Sequence, residues 1–182
     1  MSFPLVRHAD APCNAVHSIA AEISRTANGG LEINYTVSGS IADIALANPL
    51  PPERSHHLWR HTCFEAFVRL PSEAGYREFN FAPSACWAAY QFEARRAGMA
   101  DIEDAVPPII QTAQDDASFT MTVSLPTTGL PLESGWKIGL SVIIEELSGS
   151  LSFWALAHPP GAADFHYDDC FALTLPPLET TP

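Results

Sequence analysis

Basic residues are scarce in this chain. Nine lysines and arginines stand against 21 aspartates and glutamates, for a formal net charge of -12. That balance argues against nucleic acid and anionic membranes as partners, because both reward basic surface. Acidity by itself means little more than solubility. No run of 18 uninterrupted apolar residues occurs, and the opening MSFPLVRHADAPC holds no long apolar segment. Neither a membrane span nor a signal peptide is therefore expected, and a cytoplasmic location is. Cysteine is thin as well: Cys13, Cys63, Cys86 and Cys170 are far apart and form no CxxC pair, so the zinc signatures are missing. Cys63 and Cys86 fall in apolar, strand-like runs, which suits buried free thiols in a reducing compartment. GxSxG, HExxH and the P-loop are also absent, and no enzyme activity is expected.

What remains is a chain of 182 residues, 47% hydrophobic, with 16 prolines and 10 glycines. Its size suits one domain spanning 1–182, with the Pro-rich end, 176–182, as a loose tail. Turn signals recur between short apolar runs. LEINYTVSG alternates strictly, with Leu31, Ile33, Tyr35 and Val37 on one side and Glu32, Asn34, Thr36 and Ser38 on the other. Further strands are expected in HSIAAEISR, HLWRHTCFEAFVRL, YREFNF, ACWAAYQFEARR, IIQTA, SFTMTVSL, WKIGLSVIIEEL, LSFWALAHP and CFALTL. The piece ending FEARRAGM could instead finish in a helical turn. NPLPPERSHH reads as an exposed loop. Roughly nine to eleven strands and no βαβ alternation indicate an all-β chain: an antiparallel β-sandwich with at most short helical turns, a barrel being the alternative.

YREFNFAPSACWAAYQF mixes aromatic rings with Glu78 and Asn80. The register of its hairpin with CFEAFVRL decides which faces these groups occupy, because a slip of one residue exchanges every face. Setting Phe67 opposite Glu78 and Glu65 opposite Asn80 gives one clean apolar face of Phe64, Ala66, Val68, Phe79 and Phe81. The other face then carries Glu65, Phe67, Arg69, Tyr76, Glu78 and Asn80. A tight turn at Pro83-Ser84 is expected to add Trp87 to it. Rings beside carboxylates, an amide and nearby Arg95 and Arg96 suit a sugar: pyranose C–H surfaces pack on rings, and hydroxyls need paired donors and acceptors.

A second cluster lies in SFWALAHPPGAADFHYDD. Trp154 is expected as a stacking ring, with His158, Asp164 and His166 as polar contacts. Spacings of six and two residues through a Pro-Gly loop match no metal motif, and no metal is expected. His57 and His61, on a strand, would stand about 13 Å apart, too far to share an ion. With His56 they read as edge or loop residues. Glu65 and Glu78 could form a glycosidase pair, but two carboxylates in a sheet are more often ligand contacts or structure.

The run LWRHTCFEAFVRL…GYREFNFAPSACWAAYQFEARRAGM resembles the bacterial DOMON-like proteins, relatives of the family-nine carbohydrate-binding modules. The matching residues are Phe64-Glu65-Ala66-Phe67 and Tyr76 through Pro83, joined by Ala157-His158-Pro159 and Asp164-Phe165-His166. The resemblance covers roughly residues 55 to 170. It implies an immunoglobulin-like or jelly-roll-like sandwich with a ligand site on one sheet or its rim. Relatives bind sugars or haem. Haem-binding members need an axial Met and His pair, for which Met99 with His158 is the available combination. The expectation is a non-catalytic module binding a small molecule, most plainly a carbohydrate, without a cofactor. A haem-binding domain and a protein-interaction module are the alternatives.

Overall fold

The computed structural model describes residues 1–178. Twelve strands are formed among them: β1 (Ser2–Arg7), β2 (Val16–Arg25), β3 (Leu31–Gly39), β4 (Cys63–Arg69), β5 (Tyr76–Phe81), β6 (Trp87–Phe92), β7 (Ala100–Asp101), β8 (Ile109–Gln114), β9 (Ser118–Leu125), β10 (Trp136–Glu145), β11 (Leu151–Ala155) and β12 (Leu173–Leu175). The helical content among the described residues is three 3-10 turns, at Ile41–Asp43, Leu58–Arg60 and Asp168–Cys170.

All strand pairings are antiparallel, in the order β7-β6-β5-β4-β10-β11-β1-β2-β3-β9-β8, with β12 beside the start of β10. The strand β1 makes the sandwich. Ser2 to Leu5 pair with β2, whereas Val6 and Arg7 pair with β11, so one strand belongs to both layers and the sheet curls over itself. The alternation of β3 works as its sequence demands. Leu31, Ile33, Tyr35 and Val37 are buried, facing Phe64, Phe79, Phe81, Leu140 and Val142 of the opposite layer in one continuous apolar core. Tyr35 satisfies its hydroxyl across the gap by donating to the Glu65 carbonyl oxygen at 2.8 Å, which ties the layers together beneath that residue. Met121 is fully buried in this core.

The register of β4 with β5 is the one expected, with Glu65 opposite Asn80 and Phe67 opposite Glu78. Four expectations need correction. The strand β1 is an addition to the strands expected; Pro4 sits inside SFPLVR and is tolerated there through the strand's split pairing. HLWRHTCFEAFVRL is strand only from Cys63; His57 has a left-handed backbone (φ 62°) and Leu58–Arg60 make a 3-10 turn. Strand spacing therefore does not apply to His57 and His61, although both are exposed loop residues as anticipated. The turn after β5 closes with the Ala82 amide on the Cys86 carbonyl, Ala85 standing at φ 69°, and this sets Phe81 opposite Trp87 and Asn80 opposite Ala88. Trp87 thus joins the inter-layer core. Finally, β6 ends not in a helical turn but in a tight reversal, with an Ala94–Ala97 bridge and positive φ at Arg96 and Gly98, that leads back as β7.

Of the tail expected at 176–182, residues 179–182 lie outside the described residues. The preceding part is fastened: Arg25 donates to the Pro176 carbonyl and the Leu178 amide to the Leu132 carbonyl.

Candidate ligand pocket

The period of a strand gives β4, β5, β6, β10 and β11 a second face, turned away from the inter-layer core. It carries Glu65 and Phe67 from β4, Tyr76, Glu78 and Asn80 from β5, Tyr90 and Phe92 from β6, Ser141 and Ile143 from β10, and Phe153 from β11. Two segments cover it. The 3-10 turn at Leu58–Arg60 lays Trp59 edge-on to Tyr90, ring centres 5.9 Å apart. The long segment after β11 brings Phe165 against Phe153 and Phe171 against Phe67 and Tyr76. Gly139 lets this cover approach closely, since a Cβ there would meet the Cys170 carbonyl oxygen at 3.1 Å. The result is a second, smaller aromatic core.

A cavity of about 310 Å³ remains between sheet and cover. Its apolar walls are Trp59, Phe92, Phe153 and Phe165, with Met99, Ile143 and Ala163; its polar groups are Glu65, Glu78, Arg96 and His166. The volume lies at the small end of the ~300–1,000 Å³ usual for small-molecule sites.

Hydrogen bonds fix the polar groups in place. Ser141 Oγ donates to Glu65 Oε2 at 2.7 Å, and Asn80 Nδ2 donates to Glu78 Oε1 at 2.9 Å. The Arg96 amide donates to the Tyr76 hydroxyl oxygen at 3.2 Å, so that hydroxyl turns its own proton toward His166 Nδ1 at 2.6 Å. This assigns the His166 proton to Nε2. Nε2–H then faces Glu78 Oε2 at 3.9 Å, too long for a direct hydrogen bond. Glu78 Oε2 and Asn80 Oδ1 are buried and have no hydrogen-bond partner among the described residues.

Burial governs the titration of the site. It pushes the Glu65 carboxyl up to about 8, reinforced by the neighbouring Glu78 and opposed by the Ser141 hydroxyl. Glu78 is likewise pushed up by burial, to about 7, with Asn80 and Arg96 opposing. The two carboxyls act as a pair: repulsion between their charges keeps a proton on one of them near neutrality. His166 is driven down to about 4 by burial and by Arg96, and is therefore neutral. At the rim, Asp164 receives Arg95 Nη2 at 2.7 Å and Arg96 Nε at 3.0 Å, and Arg95 lies 3.4 Å over the Tyr167 ring. These contacts join the reversal after β6 to the covering segment.

The residues expected to form the site divide into three groups. Glu65, Glu78, Arg96 and His166 line the cavity, and Tyr76 and Asn80 hold them. Arg95 and Asp164 form the rim clamp. Trp87, Trp154 and His158 lie elsewhere. Trp87 and Trp154 are 5% exposed in the inter-layer core, Trp87 under the Arg54 guanidinium and Trp154 donating to Ser152 Oγ. His158 bonds the Val6 carbonyl at 2.8 Å and packs edge-on to His8. The Met99 and His158 pair that a haem site would need is not assembled, since Met99 lines the cavity and His158 does not. Among the described residues no three His, Cys, Asp or Glu side chains are grouped to hold a metal ion.

The rings that line the cavity, Trp59, Phe92, Phe153 and Phe165, differ from the two tryptophans expected from the sequence. Phe153 precedes Trp154, and strand alternation puts one of the two in each face; the larger ring was the wrong choice. Trp59 was hidden by reading HLWRH as strand. Phe92 could have been found, since it lies two residues beyond Tyr90 and four beyond Ala88, on the face that carries Glu78 and Asn80.

The molecule is thus an antiparallel β-sandwich with a pocket of small-molecule size on the outer face of one layer. No family model matches the chain, and no curated protein does. Solved structures resemble it to different degrees, and the first of the two that follow shares its fold. A "putative carbohydrate-binding protein" from Bacteroides uniformis is 15% identical, with a TM-score of 0.67 over 96% of this chain and 85% of that one. A family-nine carbohydrate-binding module from Caldicellulosiruptor kristjanssonii, in complex with cellotriose, is 7% identical, with a TM-score of 0.48 over 84% of this chain and 75% of that one.

Proposed function

We propose that this protein is a non-catalytic module that binds a small carbohydrate in the pocket over β4, β5, β6, β10 and β11. One observation carries the reading: rings and hydroxyl-matched polar groups share a cavity of about 310 Å³. Trp59, Phe92, Phe153 and Phe165 offer faces and edges to the C–H surface of a sugar ring. His166 Nε2–H and Glu78 Oε2, 3.9 Å apart, can both reach one hydroxyl, which would accept from the first and donate to the second. The carbohydrate-binding description of the Bacteroides protein supports the same direction. The DOMON-like kinship belongs to this proposal, resting on the Phe64–Phe67 and Tyr76–Pro83 motifs. A cytoplasmic location fits the free cysteines Cys13, Cys63, Cys86 and Cys170.

Titration calorimetry against a panel of mono- and disaccharides at millimolar concentration tests the reading. Heat that disappears in Trp59→Ala is the expected result. A silent panel would overturn it.

A further inference from the structure

The floor of the pocket is acidic, with Glu65 and Glu78 at its base and Arg96 toward its rim. Glu78 Oε2, on a lining residue, and Asn80 Oδ1, on the residue that holds Glu78, are buried without a hydrogen-bond partner among the described residues. Glu65 and Glu78 are 3% and 4% exposed, and among the described residues no lysine or arginine forms a salt bridge with either. The two arginines nearby, Arg95 and Arg96, bind Asp164 at the rim, where their side chains are 47% and 58% exposed. His166 offers one neutral N–H. A hydroxyl has a single hydrogen to give to this set, whereas an ammonium has three and a charge. The walls agree with that chemistry. Trp59, Phe92, Phe153 and Phe165 present the ring surface on which desolvated ammonium groups are held.

We infer that the pocket selects a sugar bearing a free amino group, bound as its ammonium by the Glu65–Glu78 pair, over neutral and acidic sugars of the same ring. This rests on the carbohydrate reading above and names the ligand class within it. Ionising a buried carboxyl is costly, and Arg96, held to Asp164 at the rim, offsets that cost for Glu65 and Glu78 only in part. An arriving ammonium removes that cost, so binding expels a proton from the pair to solvent. Affinity for the amine then rises with pH as the pair gives up that proton.

Other groups facing the pair do not supply this response. Tyr76 and Tyr90 are each raised to about 12 and stay neutral, and burial keeps the Cys63 thiol neutral too. Asp164 is lowered by its arginines against the effect of burial and stays charged. His166, at about 4, is neutral across pH 5 to 7.

The test is calorimetry with D-glucosamine, D-glucose, D-glucuronate and cyclohexylamine at pH 7.0 and pH 5.0. Glucosamine is expected to bind about tenfold or more tightly than glucose at pH 7.0, the value of one good charge pair. That preference is expected to collapse at pH 5.0, and in Glu78→Gln and Glu65→Gln, whose folding is checked by thermal melting. Equal binding of glucosamine and glucose overturns the inference and leaves the carbohydrate reading standing. So does tightest binding of glucuronate, which would make the rim arginines the selecting groups. Cyclohexylamine binding with no sugar bound keeps the ammonium and overturns the carbohydrate. Silence from all four overturns both.

Discussion

The two faces of one layer teach different lessons. Against the inner face, Phe64, Ala66, Phe79 and Phe81 meet β3 and β9 in a core whose polar atoms are few and settled, as the Tyr35 hydroxyl shows. Against the outer face, Glu65, Glu78 and Asn80 sit at equal depth among Phe67, Tyr76, Tyr90 and Phe92, and two of their acceptor atoms find no partner among the described residues. Same strands and same burial, yet one face is built to be filled by its own side chains and the other keeps a cavity beside charged chemistry. Stability resides in the first, and the proposed ligand selectivity in the second.

The largest expected effect breaks the inner face. Phe64→Ala removes a fully buried ring stacked at 5.7 Å on Phe119 and is expected to cost about 3–5 kcal/mol in chemical denaturation. A loss under about 1 kcal/mol would mean the sandwich core is not what holds the fold.

The tryptophans sharpen the contrast. Trp87→Ala is expected to cost stability of a similar order while leaving ligand affinity within about threefold in the variant that remains folded. Trp59→Ala is expected to do the reverse: about tenfold or more in affinity and at most about 1 kcal/mol in stability, since Trp59 is only half-buried. Interchanged outcomes would put the ligand between the layers.

The outer face should also reveal itself in pH dependence. Glu65 and Glu78 have folded values raised from 4.5 to about 8 and about 7, so the native state binds more protons than the unfolded chain between those limits. Their contribution is present in full below the unfolded value and is lost as pH rises through 7 and 8. Between pH 4 and 6.5 His166, lowered to about 4, works in the opposite direction, so the clean window is pH 6.5 to 8.5. The melting temperature is expected to fall by a few degrees across it, and the Glu65→Gln/Glu78→Gln double variant to flatten the slope. A melting temperature that rises there would contradict the buried, unpaired state of the carboxyls.

The smallest effect concerns the rim. Asp164→Asn loosens the clamp to Arg95 and Arg96 and is expected to lower stability only slightly, because the two arginines are about half exposed although Asp164 itself is 11% exposed. Ligand dissociation, measured by stopped flow, is expected to quicken by about threefold or more.

The contrast between faces also explains what could be read in advance. Strict alternation in LEINYTVSG, and the demand that Phe64, Phe79 and Phe81 share a face, sufficed for the sandwich and for the Glu65–Asn80 register. Period-two logic then carried Glu65, Tyr76, Glu78 and Asn80 to the outer face. It failed wherever the chain left regular strand. The five residues between Phe81 and Trp87 decide which face Trp87 takes, and turn chemistry at Ala85 is invisible to hydrophobic period. Trp59 and Phe165 arrive from covering segments whose placement depends on long-range contacts to Tyr90 and Phe153. His166 was found by composition, while its role depends on Tyr76, 90 residues away.

The most direct test uses the four tryptophans as reporters. In a 1H–15N correlation spectrum each indole N–H gives its own signal. Trp87, Trp136 and Trp154 belong to the inter-layer core, and Trp59 lines the outer pocket. On titration with a monosaccharide panel that includes D-glucosamine, the Trp59 signal is predicted to shift in a saturable way while the other three stay in place. A stationary Trp59 signal, or saturable movement of Trp87 or Trp154 in its stead, would contradict the assignment of the site to the outer face.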